Sequence, residues 1–395
     1  MRGAGRAFIR LKEVVFLNRY DKWYKYVMAI SLCLFIGGMS ALGILTPTKA
    51  FSESENRTLE QLPAFSLEKL LRGRFPSVFE RYMSDQFAFR DFWIGLKSDV
   101  DRAIGKKENH DVYLGKDGYL IQKWIRPEDA EVEKKVDALN FFDRANPDLP
   151  KYLMLVPTAV SVLEEKLPDD VSGEEQLHYL DMVRKKLNQD IRYVDTYPAL
   201  YANRSANIFY KTDHHWTTKG AYLAYRVLAG QMGFAPKEEA EYRIEQVTDE
   251  FYGSLYSRSG FRHLQPDSIA LYEPKDGEAC HVEYVDEQKS ADSLYERENL
   301  KKKDKYTVFL NVNHALIKIA TRHPEGKKLL VVKDSYANCF LPFLTAHFGE
   351  IYVVDLRYCE DDLGAFVKAN HIDEMLILYN ANTFFADPSI QSLSE

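Results

Sequence analysis

The stretch LLVVKDSYAN, residues 329–338, decides the fold prediction. Its first four residues form an apolar run that is typical of a strand buried on both faces. Ser335 follows three residues later, and a helix is predicted to begin directly after it. In an open α/β fold, the turn between such a strand and helix lies at the carboxyl edge of the sheet, where these folds place their ligands. The stretch therefore predicts a parallel sheet with a serine at its ligand-binding edge.

Similar apolar runs recur along the chain and alternate with helical patterns. The pattern predicts strands at 151–157, 192–195, 329–332, 351–355 and 374–379, and helices at 174–189, 219–232, 336–347 and 361–369. Such alternation indicates an α/β fold, a doubly wound parallel sheet with helices on both faces. Residues 235–328 interrupt the rhythm because they are charged and rich in tyrosine. We predict that they form an insertion or lid, partly of β structure.

A second stretch, KTDHHWTT at residues 211–218, supplies a partner for the serine. Serine is a weak nucleophile until a base removes its proton, and a carboxylate that holds the base makes it more effective. A loop can bend so that Asp213 holds Nδ1 of His215 while Nε2 faces outward. We therefore predict Ser335 as the nucleophile, His215 as the base and Asp213 as the orienting acid. His214 is expected to face the other way, towards packing or substrate.

Both motifs also have interpretations that involve no catalysis. Asp213 and His215 could cap the N-terminus of the following helix, and Ser335 could cap the helix that follows its strand. A metal site built from Asp213, His214 and His215 is a third alternative, although adjacent histidines seldom bind one ion. Taken together, the motifs favour a Ser-His-Asp esterase or acyltransferase, a mechanism that needs no metal and no soluble cofactor.

Weaker candidates surround the serine. The N–H groups at a helix N-terminus can hold an oxyanion, so the backbone amides of Ser335 and Tyr336 are expected donors, with the side chain of Asn338 as a weaker one. Arg357, at the end of a predicted strand, could bind an anionic group, but an exposed surface arginine is an equal expectation. Asn313 could add an amide, although an ordinary turn residue is the better interpretation.

An uncharged segment near the N-terminus predicts the cellular location. Residues 26–45 contain no charged side chain, and 20 helical residues at about 1.5 Å each span the roughly 30 Å hydrocarbon layer. The run is longer than the apolar core of a secretory signal, and no clear cleavage site follows, which favours an uncleaved anchor. Residues 1–25 are rich in Lys and Arg, so this tail is expected in the cytoplasm and the rest outside, in a single-pass protein of the cell membrane.

The remaining organisation follows from the composition. Residues 46–110 are predicted to form a juxtamembrane helical collar, and residues 111–395 the α/β domain. A net charge of -7 argues against nucleic-acid binding, which requires a basic face. One of the four cysteines, Cys33, lies in the apolar segment and leaves an odd number elsewhere, so a full disulfide framework is not implied.

Several separated motifs resemble one bacterial family. These are TDHHWT at 212–217, FSESENR at 51–57, GKDGY at 115–119, KDSYAN at 333–338 and VDLRY at 354–358. They resemble the DHHW protein family, which is similar to the SGNH-hydrolase-like alginate O-acetyltransferases. The resemblance implies an SGNH-like fold and the same three catalytic residues, Asp213, His215 and Ser335. It also implies the circularly permuted order, in which the serine comes last.

The resemblance implies a function and partners as well. The protein is expected to take an acetyl group onto Ser335 and to pass it to a hydroxyl of a cell-surface polysaccharide. It is expected to work beside a multi-spanning membrane acyltransferase. Two alternatives stay open: a carbohydrate acetylesterase, because water and a sugar hydroxyl attack the same acyl-serine, and a non-catalytic protein that binds glycan or acts as a scaffold for the membrane acyltransferase.

Overall fold

The computed structural model describes residues 3–52, 55–277 and 280–394. The chain divides into two compact units, Met1–Leu96 and Lys97–Glu395. The first is built around one long helix, and the second around a β-sheet.

The first unit begins with α1 (Gly3–Leu45), and the part of this helix from Asp21 to Leu45 is long and apolar enough to cross a membrane, judged by length and composition. The short strands that follow pair as an antiparallel hairpin. Its other elements are β1 (Phe51–Ser52), β2 (Arg57–Thr58), α2 (Leu67–Leu71), α3 (Arg74–Asp85) and the start of α4 (Arg90–Ala103). The apolar N-terminal helix expected from the sequence is thus present, with short helices after it.

The second unit contains the remaining strands. These are β3 (Glu108–Asn109), β4 (Val112–Leu114), β5 (Leu120–Gln122), β6 (Lys151–Val156), β7 (Ile191–Tyr193), β8 (Tyr242–Phe251), β9 (Asp267–Pro274), β10 (Cys280–Tyr284), β11 (Lys289–Ala291), β12 (Leu316–Thr321), β13 (Lys328–Lys333), β14 (Glu350–Val354) and β15 (Glu374–Asn380). Eight of them form the central sheet in the order β11-β10-β12-β14-β13-β15-β6-β7. The five strands from β14 to β7 in that order are parallel. Every strand predicted from the apolar runs belongs to this parallel part.

The interrupted region, 235–328, contributes to the sheet instead of lying wholly outside it. Strands β12, β10 and β11 continue the sheet beyond β14 as antiparallel neighbours. In β10, Cys280, Val282 and Tyr284 are buried while the residues between them are exposed, the alternation of a strand that faces solvent on one side. Strands β8 and β9 form a separate antiparallel pair. The sheet is therefore mostly parallel, with an antiparallel edge.

The α-helices of the second unit lie between these strands and after them in the chain. They are α5 (Asp129–Ala145), α6 (Ala159–Val162), α7 (Glu174–Lys186), α8 (Tyr197–Ala202), α9 (Thr218–Met232), α10 (Ser254–Ser259), α11 (Leu363–Asn370) and α12 (Ala381–Ala386). The predicted helix 336–347 is instead two 3₁₀ segments, Ser335–Cys339 and Leu341–Leu344. Pro342 lies in the second segment, and because it has no N–H it cannot continue an α-helical hydrogen-bond ladder.

The carboxyl ends of the parallel strands bring chemistry-bearing residues to one edge. Leu329, Leu330, Val331 and Val332 of β13 are completely buried, and Ser335 follows them. Arg357 comes shortly after β14, and Asn382 shortly after β15. Because parallel strands end at the same edge of a sheet, these residues belong to one region of the surface.

Candidate active site

Three side chains from two distant motifs form one hydrogen-bonded chain. The imidazole of His215 lies between Ser335 and Asp213, with Nε2 2.8 Å from the Ser335 Oγ and Nδ1 2.6 Å from Asp213 Oδ1. Ser335 is partly exposed, whereas Asp213 and His215 are buried. A buried carboxylate, an imidazole and an accessible hydroxyl in this order form the arrangement that activates a serine.

Asp213 is held by more than its contact with the imidazole. Its Oδ1 also accepts the backbone N–H of His215 at 2.9 Å, and its Oδ2 accepts the backbone N–H of Ser254 at 2.7 Å. Gly253 permits this approach, because a Cβ atom at that position would lie 2.2 Å from the Cβ of Asp213. The carboxylate is thereby fixed in position, and its Oδ1 accepts a hydrogen bond from Nδ1 of His215.

The loop that carries the acid and base is anchored at both ends. On one side, the carboxylate of Asp267 accepts the backbone N–H groups of Lys211 and Thr212, both at 2.8 Å, and the Thr212 hydroxyl at 2.6 Å. On the other side, Thr217 caps α9 by accepting the N–H of Gly220. The capping role that the sequence also offered to Asp213 thus belongs to Thr217.

The loop is also tied directly to the serine turn. The indole N–H of Trp216 donates to the backbone carbonyl of Tyr336 at 2.9 Å, and the Tyr336 hydroxyl donates to the carbonyl of His214 at 2.5 Å. These two reciprocal bonds join segments that are about 120 residues apart in the chain. They set the distance between the His215 imidazole and Ser335.

Asp334 shapes the turn on which Ser335 sits. Its Oδ1 accepts the backbone N–H of Tyr336 at 2.9 Å, and its Oδ2 accepts both the N–H and the side-chain amide of Asn380, at 2.9 and 2.6 Å. Asn380 is the last residue of β15, so the carboxylate ties the ends of two neighbouring strands together. Asp334 is therefore a structural residue of the turn.

The expected oxyanion donors differ in their availability. The backbone N–H of Tyr336 already has an acceptor in Asp334. Among the described residues, no acceptor is found for the backbone N–H of Ser335 or for the side-chain Nδ2 of Asn338. The geometry therefore favours Ser335 N–H, with Asn338 as a second donor.

A buried lysine connects the remaining predicted residues. The ammonium of Lys333 donates to Oδ1 of Asn313 at 2.8 Å and to Oδ1 of Asn338 at 2.9 Å. Burial lowers the pKa of Lys333 to about 8 despite the nearby Asp355 carboxylate. Asp355 in turn binds the guanidinium of Arg357 through two hydrogen bonds, at 2.8 and 2.6 Å. Arg357 is thus held in place by a buried acid and is not a free surface arginine.

His214 lines a cavity beside the three-residue chain. Its Nδ1 is 2.7 Å from the hydroxyl of Ser254, and burial together with the His215 charge lowers the pKa of His214 to about 3. His214 is therefore neutral at physiological pH. The cavity measures about 430 Å³ and is lined by Gln122, His214, Ser254, Leu255, Arg258, Arg357, Asn382, Thr383, Ala386 and Asp387.

Electrostatics favour the charged form of the acid. Burial opposes the charge of Asp213, but its electrostatic interactions with the neighbouring imidazoles and the hydrogen bonds from His215 and Ser254 outweigh this effect. The pKa of Asp213 is therefore below its usual range. An ionised carboxylate at this position stabilises the imidazolium that forms when His215 accepts a proton.

The metal alternative can be compared with the same geometry. The possible ligand atoms of Asp213, His214 and His215 lie within 4.8 Å of one another. However, Nδ1 of His215 bonds to Asp213 and Nδ1 of His214 bonds to Ser254. The contacts present are those of a hydrogen-bonded chain.

Tyr306 is a site residue that sequence reasoning missed. Its ring stacks on the imidazole of His215, and its hydroxyl donates to the backbone carbonyl of Ser335 at 3.0 Å. It lies in the charged region that interrupts the strand-helix pattern, and no motif marks it. Gly253 and Asp267 come from the same region and were missed for the same reason.

Comparisons with known proteins agree with this architecture. A solved structure of a DHHW family protein from Eubacterium siraeum shares the fold, with 24% sequence identity and a TM-score of 0.62 over 72% of this chain and 95% of that one. Bacillus cereus PatB1 with a sulfonyl adduct also shares it, with 22% identity and a TM-score of 0.60 over 70% of this chain and 98% of that one. The O-acetyltransferase domain of Pseudomonas putida AlgJ is less similar, with 13% identity and a TM-score of 0.45 over 72% of this chain and 98% of that one. No curated protein matches the chain.

The family match includes both motifs. The model of the DHHW protein family matches residues 140–354, a range that contains Asp213, His215 and Ser335. This range is more than half of the 395 residues. The fold expected from the motifs, an α/β fold with a mostly parallel sheet and helices, is the fold observed. The chain belongs to the DHHW protein family.

Proposed function

We propose that this protein is a membrane-anchored, extracytoplasmic O-acetyltransferase that modifies a cell-surface polysaccharide through Ser335, His215 and Asp213. The observation that carries the proposal is the hydrogen-bonded chain from Asp213 through His215 to the partly exposed Ser335. The similarity of the family to alginate O-acetyltransferases favours acetyl transfer to a sugar over hydrolysis.

The first half of the reaction forms an acetyl-enzyme. Ser335 Oγ attacks the carbonyl carbon of the acetyl donor while Nε2 of His215 takes the hydroxyl proton. The negative oxygen of the tetrahedral intermediate is stabilised by the N–H of Ser335 and the amide of Asn338. When the intermediate collapses, the bond to the donor oxygen breaks, and His215 returns the proton to that oxygen.

The second half repeats these steps in reverse order with a new nucleophile. A polysaccharide hydroxyl attacks the carbonyl carbon of acetyl-Ser335, and Nε2 of His215 takes the hydroxyl proton. Collapse breaks the ester bond to Ser335, and the proton returns to Oγ. Asp213 stays ionised throughout and stabilises the imidazolium formed in each half.

The cavity beside His214 is the proposed position for the polysaccharide. It is lined by His214, the chain neighbour of the base, and by other neutral hydrogen-bonding groups together with Arg258, Arg357 and Asp387. Such a mixture suits a hydroxyl-rich chain that carries some negative charge. Arg357 would contribute through its fixed orientation, since Asp355 binds two of its nitrogens.

The apolar helix from Asp21 to Leu45 supports the proposed location. With the basic tail in the cytoplasm, the second unit lies outside the cell membrane, where the polysaccharide is. Acetyl donors are made in the cytoplasm, so a multi-spanning membrane acyltransferase is the proposed partner that exports the acetyl group.

The test is covalent labelling of the purified full-length protein. PatB1, which shares the fold, is known with a sulfonyl adduct, so a sulfonyl reagent and a chromogenic acetyl ester are suitable probes. Mass spectrometry should place the label on Ser335. Ser335→Ala should abolish labelling, His215→Ala should slow it by several orders of magnitude, and the exposed Ser392→Ala should label like the wild type.

The outcomes separate the alternatives. Acetyl groups recovered on an added oligosaccharide support transfer, whereas release to water alone identifies an esterase. Normal labelling of His215→Ala would remove His215 from the mechanism. A folded protein that no sulfonyl or ester probe labels would be a glycan-binding or scaffold protein instead.

A further inference from the structure

The helices that follow the apolar segment contact its outer half. These collar helices are residues 74–96, which comprise α3 and the first part of α4. The ring of Trp93 meets the ring of Phe35 edge-on, with centroids 6.3 Å apart. A cavity of about 560 Å³ lies between α1 and the collar helices, with Met39 and Gly43 on one side and Met83 and Phe87 on the other.

The position of Phe35 along α1 sets the depth of this contact. Charged side chains at Asp21, Lys22 and Lys25 fix the inner boundary of the apolar segment, so the hydrocarbon layer begins near residue 26. Phe35 lies ten residues before Leu45, which corresponds to about 15 Å along a helix. A side chain that touches Phe35 is therefore near the middle of a layer roughly 30 Å thick.

The collar helices expose the kind of surface that such a depth requires. Six large apolar side chains of this segment are substantially solvent-accessible: Phe79 (38%), Met83 (51%), Phe87 (42%), Phe89 (64%), Phe92 (55%) and Leu96 (42%). Contiguous exposed apolar surface is uncommon on soluble proteins and marks a contact with another apolar phase. Four of the six are aromatic, a type that is enriched on helices lying at a membrane surface.

Four charged side chains on and beside the collar helices neutralise one another. Arg57 is bound to Asp85 at 2.5 Å and to Glu55 at 3.3 Å, and Arg90 is bound to Glu55. Two acids and two bases form this cluster, so it carries no net charge. Pairing lowers the cost of placing these groups close to lipid, because the charge of each side chain is offset by its neighbours.

We propose that the collar helices are immersed in the outer leaflet of the bilayer, with Met83, Phe87 and Phe89 against lipid chains. The protein is then held by a transmembrane helix together with a helical hairpin that reaches into the outer leaflet. The apolar face is thus covered by lipid and not by a second protein. The inference rests on the proposed membrane anchoring, and continuity with the apolar surface of α1 carries it.

Tryptophan fluorescence of the full-length protein in lipid nanodiscs tests this arrangement. Trp23→Phe removes the tryptophan at the inner boundary, and Trp124 and Trp216 are buried in the other unit. The fluorescence of Trp93 is obtained by subtracting the fluorescence of the double variant Trp23→Phe/Trp93→Phe from that of Trp23→Phe. Lipids brominated on their acyl chains should quench this signal, and acrylamide in the water should have little effect.

A matched control uses the opposite face of α3. Ser77 is exposed and lies two residues from Phe79, so it faces the other side of the helix. A tryptophan introduced by Ser77→Trp, in the double variant, should be quenched by acrylamide and spared by the brominated lipid. If Trp93 of an anchored protein is likewise quenched by acrylamide and spared by the brominated lipid, the inference is overturned and the result points to a protein partner.

Failure of the membrane anchoring can be distinguished from failure of the inference about the collar helices. Extraction of the membranes with alkaline carbonate leaves a transmembrane protein in the pellet. A soluble protein after this treatment would refute the anchoring and, with it, the inference. A pelleted protein with an aqueous Trp93 would refute the inference alone.

Discussion

The imidazole of His215 lies flat against the ring of Tyr306, with centroids 3.7 Å apart and ring planes 10° apart. The hydroxyl of the same tyrosine donates to the backbone carbonyl of Ser335 at 3.0 Å. One side chain thus contacts the ring of the proposed base and the backbone of the proposed nucleophile. Tyr306 is a positioning residue, because it fixes the imidazole plane relative to the serine turn.

Two substitutions at Tyr306 should separate these contacts. Tyr306→Phe keeps the ring stack and loses one hydrogen bond worth about 1 kcal/mol, so kcat should fall by at most about tenfold. Tyr306→Leu also loses the stack, and an imidazole displaced by about 1 Å should cost on the order of a hundredfold in kcat. Steady-state kinetics with a chromogenic acetyl ester measure both values. Equal effects of the two substitutions would contradict a role for the ring.

Gly253 should tolerate no side chain. A Cβ atom there would lie 2.2 Å from the Cβ of Asp213, and the carboxylate would have to move. Gly253→Ala is therefore expected to lower activity by about a hundredfold or more, because the acid no longer orients His215. The control is Gly230→Ala in α9, where a Cβ meets nothing within 4 Å. It should keep full activity and raise helix stability by up to about 1 kcal/mol.

Lys333 should act on catalysis through the asparagine amides. Its ammonium binds Oδ1 of both Asn313 and Asn338, which leaves each Nδ2 as the group that can donate elsewhere. Lys333→Met removes this constraint, and kcat should fall by about ten- to a hundredfold while KM changes little. Loss of stability without a change in kcat, measured by urea unfolding and ester turnover, would restrict Lys333 to a structural role.

The neutral His214 predicts an acid-sensitive stability. Its pKa is about 3 in the folded protein, against an ordinary value of 6.5. Because the unfolded chain takes up this proton first, the stabilisation is present above pH 6.5 and is lost as the pH falls towards 3. His214→Asn should therefore lose less unfolding free energy than the wild type between pH 7 and pH 4.5, as measured by urea titration.

The comparison at His214 has an internal control. Burial lowers the pKa of His347 to about 4, so this residue contributes a similar pH dependence to both proteins. Only the difference between the two proteins reports on His214. Identical losses of stability in the wild type and His214→Asn would contradict the predicted shift.

Local signals account for what the sequence could predict. The strand before Ser335 and the other parallel strands are buried on both faces and therefore appear as continuous apolar runs. Ser335, His215 and Asp213 were selected because their chemical types and spacings fit one reaction, and the structure brings their side chains into hydrogen-bonding contact. The residues between the two motifs played no part in that prediction.

Tertiary contacts account for the features that the sequence could not predict. Strand β10 alternates buried and exposed residues within a charged region. The places of β10 and β12 in the sheet depend on the pairing of β10 with β12 and of β12 with β14. Tyr306 is preceded by a run of charged residues, and only the folded chain brings it to His215. The helix predicted after Ser335 was wrong in type, since the 3₁₀ turns there fit around Pro342.

The bond between Asp334 and Asn380 has a consequence for when the protein becomes reactive. The turn that presents Ser335 is closed by a residue of β15, a strand that is synthesised after the serine. A chain that still lacks this strand carries the serine without the geometry that activates it. In the proposed mechanism, donor esters are therefore safe from premature cleavage by unfinished copies of the protein.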